Sequence, residues 1–260
     1  MENYLPQRPL SEDDASIRIH TEWLKTETTK KKPNYEQINV AMDATFADRR
    51  ALVTKGTASL AEVKVAYPWL FEEKEILSEF KRVHGSKEGI AELIEDGLRK
   101  YSKAVLQLCK THRNLEDICK QAQDMIPLQR DEDSREGATH VAAVLTVPSL
   151  LKEKVGCLVL LGQEPEDGHP HITGDESSLE QCQHFSIVVD GIEVAHTDTF
   201  MSAFSCYVAC FYVFNLAYPG VLRKTLNFFQ RVILNIQDSA KVDRPVITLL
   251  DKLNQLLKKH

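Results

Sequence analysis

Four residues able to hold a metal lie close together in the sequence: His169 and His171 in a His-Pro-His run, and Cys182 and His184 in a Cys-Gln-His run. Three imidazoles and a thiolate could supply the four tetrahedral ligands that zinc prefers. The spacing matches no common zinc motif, and Cys182 and His184 share a face only if their segment is a strand. In the competing reading these histidines are simply solvated in a surface loop. Convergence of the four would favour a metal-dependent hydrolase, and scattering would remove that reading.

Other catalytic constellations are missing from the sequence. There is no GxSxG elbow, no Walker A lysine loop and no GxGxxG, and the 11 glycines are dispersed. Cys206 and Cys210 stand four apart and would share a helix face, but among Phe204, Tyr207, Phe211 and Phe214 they read as small core hydrophobes. The acidic groups Glu164/Glu166/Asp167 and Asp131/Glu132/Asp133 read as solvated loop charge without the preorganised surroundings that chemistry requires. No catalytic residue and no cofactor are therefore expected. All six cysteines, Cys109, Cys119, Cys157, Cys182, Cys206 and Cys210, lack CxxC spacing and are expected to be reduced.

The elements that must position these residues fall into two regions. Pro6 and Pro9 mark an extended arm over residues 1–10, and a helical region is expected from 11 to 129. It opens with a capped helix after Ser11-Glu12-Asp13-Asp14 and continues with one carrying Ile38, Ala41, Met42 and Phe46 on a face. Ser59-Leu60-Ala61-Glu62 has the form of a capping box whose helix must end near Tyr67, before Pro68. A further helix to Val83 stops at Gly85, residues 87–110 form the most regular amphipathic helix, and another runs from Leu115 to Met125.

Residues 130–137 read as an exposed charged connection and a soft boundary, so that 130–260 is a second, α+β region, with one intertwined unit as the alternative. Val141–Val147 and Val155–Leu161 read as short strands, and 163–178 as a surface loop. Ser186–Val189 and Ile192–Ala195 flank Asp190-Gly191, which suits a two-residue type I′ hairpin turn. Three helices follow, over about 199–217, 219–237 and 245–258, the last ending at Lys258 and Lys259. The expected fold class is thus α+β: a helical N-terminal half, then a small, mostly antiparallel sheet with a central apolar helix and two further helices.

Charge narrows the function. With 38 acidic against 32 basic side chains the net charge is -6, which disfavours nucleic acid and anionic membrane as partners. The helix pair over residues 60–84 offers Lys81 and Arg82 against Glu72, Glu73, Glu75 and Glu79, so phosphate would be repelled. Lys30–Lys32 read as a solvated linker, short of a nuclear-targeting tract. Thr199–Leu222 carries no charge, yet Ser202, Ser205, Asn215 and Pro219 interrupt it, so a buried core helix is expected in place of a membrane span. The N-terminus lacks an apolar signal segment, and a cytoplasmic or nuclear location is expected.

The segments TFADRRALVTKG (45–56), VAYPWLFEEKEILSEFKRV (65–83), RDEDS (130–134) and FSIVVDGIEV (185–194), followed by FNLAYPGVLRKTLNFFQRVIL (214–234), carry a family resemblance. Over residues 4–236 the chain resembles a large group of vertebrate proteins, the sterile alpha motif domain-containing protein 3-like group. Members often begin with a sterile alpha motif, a small helical module for self-association or protein binding. This chain departs from that pattern by starting at the part that follows the motif, so polymerisation through it is not carried over. The resemblance supplies no catalytic residues.

Together these readings lead to a non-enzymatic intracellular interaction or scaffold module. The expected partner is an unidentified protein, with self-association as a further option. Trp69 and Phe71, beside a helix start, are the candidate partner-binding anchors, with a core role as the competing reading. The alternatives are the metal-dependent hydrolase and a nucleic-acid-associated protein of mobile-element ancestry, which would need a positive stripe.

Overall fold

The computed structural model describes residues 5–110, 115–166, 168–238 and 241–258; residues 1–4 of the arm, Asp167 and Lys259 lie outside that range. The helical half comprises α1 (Asp14–Glu27), α2 (Tyr35–Ala44), α3 (Phe46–Thr54), α4 (Leu60–Ala66), α5 (Glu73–His84), α6 (Ile90–Cys109) and α7 (Asp117–Met125). Local signals set several of their ends. Asp13 accepts from the amides of Ala15 and Ser16 to cap α1, and Ser59 and Glu62 form the expected capping box on α4. Pro68–Phe71 make a 3-10 turn, and α5 ends on Gly85 at φ 69°, a left-handed position open to glycine.

Beyond α7 the chain forms α8 (Glu132–Leu150), then β1 (Val159–Leu161), β2 (His171–Gly174), β3 (Phe185–Val189) and β4 (Ile192–Thr197). Next come α9 (Phe200–Val213), α10 (Arg223–Phe228), which runs on as a π turn through Phe229–Ile233, and α11 (Arg244–Leu257). The fold is α+β. The sheet order is β1-β2-β3-β4, with β1 and β2 parallel and the other two pairings antiparallel. The hairpin matches its sequence signal: Asp190 and Gly191 have φ of 50° and 71°, the two positive values of a type I′ turn.

Several expectations need correction. The helix expected to carry Ile38 to Phe46 breaks at Thr45 into α2 and α3. Of the expected strand Val155–Leu161 only Val159–Leu161 is extended, Val155–Cys157 being a 3-10 turn. Val141–Val147 is not a strand but the middle of α8, and residues 130–137 are its capped start, because Asp131 accepts from the Ser134 amide at 2.8 Å. Ala142 to Leu145 are all 0% exposed, so this stretch is apolar on every side and its β-branched residues reveal no helical period. The 163–178 loop contains β2, whose Ile172 pairs with Val159 on one side and Ile187 on the other and is fully buried. Finally, α10 starts at Arg223, because Pro219 forms a turn closed by the Leu222 amide donating to its carbonyl at 3.0 Å.

One buried cluster runs from Leu24 to Leu253 and crosses residue 130. Helix α9 lies at its centre, between α5 and the sheet, with Ala203, Phe204, Cys206, Tyr207, Ala209 and Cys210 fully buried. No helix among the described residues is long and apolar enough to cross a membrane. Helix α6 approaches the π turn so closely that a Cβ on Gly97 would sit 2.5 Å from the Ile233 carbonyl oxygen and 2.8 Å from its Cα. Gly97→Ala is therefore expected to lower stability by about 1–3 kcal/mol through overpacking, despite alanine's better helix propensity. A urea midpoint equal to that of the wild type would contradict the close approach.

Charged groups bolt the N-terminal helices to one another and to α9. Arg49 and Glu79 are 1% and 3% exposed and form a bidentate pair, Nε to Oε1 at 3.1 Å and Nη2 to Oε2 at 2.7 Å. Arg82 joins the same Glu79 oxygen at 3.0 Å and reaches Asp43 at 2.7 Å. Arg50 donates to the Tyr212 carbonyl at 2.7 Å, satisfying an oxygen at the end of α9 that has no partner within the helix.

Candidate functional site

The sequence candidates are not brought together. No three of His169, His171, Cys182 and His184 lie within ligand distance of one another. His171 is buried on β2 with Nδ1 2.8 Å from the His169 carbonyl, while Cys182 turns towards the Glu176 carbonyl. Trp69 and Phe71, 7% and 8% exposed, are core residues and not a docking surface. Trp69 donates its indole N–H to the Leu24 carbonyl at 2.8 Å, and Phe71 packs on Phe214 at 5.2 Å between centroids. Large aromatics beside a helix start joined two layers here, as their usual burial implies.

The buried thiols are held in their neutral form. All six cysteines are free, and burial pushes the thiols of Cys119 and Cys206 up to about 11 and about 12, and that of Cys210 upward as well. Cys119, Cys206 and Cys210 therefore remain protonated at neutral pH, the unreactive form. Burial also lowers the pKa of His140, which lines a cleft of about 410 Å³ between α6, α8 and α9. In that cleft charges answer one another: Arg99 meets Glu95 at 2.7 Å and Glu136 at 3.4 Å, and Ser205 donates its hydroxyl to the Met201 carbonyl.

A second cleft, of about 380 Å³, has a different character. It opens where the end of α8 meets the start of α11, with Leu108, Leu150, Leu151 and Leu249 as its floor. Its lining includes Lys152, Lys224, Arg244 and Lys252 and no carboxylate.

The geometry follows from how α8 ends. Pro148 stands in its last turn and cannot continue the hydrogen-bond ladder. The chain reverses through Lys152, a non-glycine at φ 58°, while the Glu153 amide donates back to the Pro148 carbonyl at 2.8 Å. A lysine in the left-handed region costs about 1 kcal/mol relative to glycine.

Past the reversal, Glu153 turns inward and accepts from the amides of Lys224 and Thr225 at 3.1 and 2.8 Å, which caps α10. Lys224 in turn donates to the Leu151 carbonyl at 2.7 Å and lies 3.7 Å from Glu153. Lys224 thus serves mainly to hold the reversal. Asp243, which precedes Arg244, is taken by Arg223 at 3.1 Å. Lys152, Arg244 and Lys252 are exposed and form no salt bridge among the described residues. Three unanswered cations over an apolar floor can hold an anionic group attached to a hydrophobic one.

In class, then, this is an α+β chain of helices packed on a mixed four-stranded sheet, with a cationic cleft at its C-terminal end. Comparison with known proteins places its resemblance. Residues 18–72, from α1 through the 3-10 turn after α4, match the family model described as sterile alpha motif domain-containing protein 3, helical domain. The chain is 22% identical over 224 residues to human sterile alpha motif domain-containing protein 3, covering 86% of this chain and 42% of the relative. It is 23% identical over 246 residues to the mouse protein of that name, covering 86% of this chain and 43% of the relative.

These matches support the resemblance read from the motifs, and the model matched is the helical domain, not the sterile alpha motif itself. The chain spans less than half the length of these relatives. No solved structure matches it.

The cleft was missed in the sequence because its cations come from three separate stretches of the chain: Lys152, Lys224, and Arg244 with Lys252 on α11. A local signal existed only at Arg244 and Lys252, which fall two turns apart on one helix.

Proposed function

We propose that the chain is a non-enzymatic, intracellular protein-interaction module that holds an acidic segment of a partner protein in the α8/α11 cleft. One observation carries this reading: in a chain of net charge -6, Lys152, Arg244 and Lys252 stand together over leucines with no carboxylate among them. The apolar floor decides between anionic ligands. A bare phosphate or a nucleic-acid backbone would use the cations and leave the leucines wet, whereas an acidic peptide carrying one leucine or phenylalanine uses both. The volume of about 380 Å³ suits one such side chain with its flanking carboxylates.

The reading is tested by titrating the full chain into a fluorescein-labelled peptide that alternates glutamate and aspartate around a single leucine, followed by anisotropy. Saturable binding that weakens as salt is added is expected, with none to a peptide bearing lysine in place of each acid. Equal affinity for both peptides, or for a single-stranded oligonucleotide, would overturn it.

A further inference from the structure

We propose that His184, His196 and Asp198 form a binding site for a divalent transition-metal ion of the zinc class, at the open end of the β3/β4 hairpin. This site stands apart from the cationic cleft and does not depend on it. The ligand atoms of the three side chains all lie within 4.8 Å of one another, the only such group among the described residues. Two imidazoles and one carboxylate suit zinc and its neighbours, and they leave a coordination position open to solvent.

The hairpin brings the three together. Ser186 pairs with His196 and Phe185 with Thr197, so His184 and Asp198 flank the next position of the ladder. Side chains two apart on a strand share a face, which puts His184 with Ser186 and His196 with Asp198. The rings of His184 and His196 are 5.1 Å apart, and His184 Nδ1 lies 3.3 Å from Asp198 Oδ1.

A bulge supplies the support. Ile187 pairs with Ala195 and Val188 with Glu193, which leaves Val194 as the extra residue. Val194 and Ala195 are therefore both buried, and Glu193 and His196 both face solvent on the same side. Ser186 donates its hydroxyl to Glu193 Oε2 at 2.6 Å, and the Ser186 Oγ itself lies 3.4 Å from His196 Nδ1. With Nδ1 turned to that oxygen, Nε2 is the ring nitrogen left for a metal, and the serine gives the outer support that ligating histidines usually have.

The backbone on each side is held too. The amides of Gln183 and His184 both donate to Asp175 Oδ1, at 3.1 and 3.3 Å, and Phe185 meets Phe200 edge to face at 5.8 Å. A rigid frame with one donor set is what a site needs to bind without refolding.

The test is titration of the full chain with Zn2+ by calorimetry, repeated with Co2+ to read the visible absorption of the bound ion. One ion per chain is expected. His196→Ala should abolish uptake with the far-ultraviolet circular dichroism unchanged, and Ser186→Ala should weaken it by about tenfold, the lower end of what lost outer support costs. His169→Ala should leave it unaffected. No uptake by the wild type, or uptake insensitive to His196→Ala, would overturn the proposal; so would equal affinity in Ser186→Ala as regards the supporting chain.

Discussion

Glu79→Leu is expected to lower the stability of the chain by about 3–5 kcal/mol, the usual cost of removing one partner from a buried ion pair. Arg49 is 1% exposed, donates to both Glu79 oxygens and lies with its guanidinium 5.6 Å from the centre of the Tyr67 ring. Without Glu79 its charge keeps, among the described residues, only the Thr45 hydroxyl as a hydrogen-bond partner and cannot reach water. Arg82 loses the same oxygen but keeps Asp43 at 2.7 Å, so the main penalty falls on Arg49.

The double variant Arg49→Met with Glu79→Leu should recover most of the loss, because it removes both charges and retains much of the volume. Urea denaturation of the single and double variants checks this. A Glu79→Leu midpoint near that of the wild type would mean that the pair is hydrated and that α3 and α5 are not joined as described.

Phe204→Ala is expected to cost a similar amount, about 3–5 kcal/mol, by opening a cavity at the centre of α9. Phe204 is fully buried, with ring centroids 4.7 Å from Phe229 and 6.4 Å from both Phe200 and Tyr207. It therefore touches the helix on its own element and the π turn that follows α10. The uncharged run around it invites a membrane reading, under which this phenylalanine would face lipid and its loss would hardly affect thermal unfolding in plain buffer. Val65→Ala is the control: Val65 is 74% exposed, and a change within about 0.5 kcal/mol is expected. Equal melting temperatures for Phe204→Ala and Val65→Ala would contradict the central place of α9.

What the sequence disclosed about the fold was what short-range chemistry decides. Ser59 and Glu62 cap α4, Gly85 ends α5 in the left-handed region, and Asp190-Gly191 turns the hairpin, each through contacts made within a few residues. Helix α6 was legible because only one of its faces is buried, which leaves a period to read. Helix α8 was not, since burial from Ala142 to Pro148 removes the period and the valines then suggest a strand.

The sites were harder to see for a related reason. A two-residue turn alone would pair Phe185 with His196, and it is the extra residue at Val194 that shifts the ladder and sets Ser186 opposite His196. His184 was identified as a ligand type, but its partners in space are His196 and Asp198, not His169, His171 or Cys182. Tertiary packing brings Lys152 and Lys224 to the face of α11 that carries Arg244 and Lys252. Trp69 shows the converse case, a residue whose type suited an interface and whose N–H was already bound to Leu24.

The interaction reading rests on the cleft, and charge reversal at its rim tests it most directly. Lys152→Glu combined with Lys252→Glu, both on exposed side chains, should leave the melting temperature close to that of the wild type. In the anisotropy titration with the acidic leucine peptide, the double variant is predicted to bind at least about tenfold more weakly, because two attractions become two repulsions. Unchanged affinity in a folded double variant would contradict the assignment of this cleft.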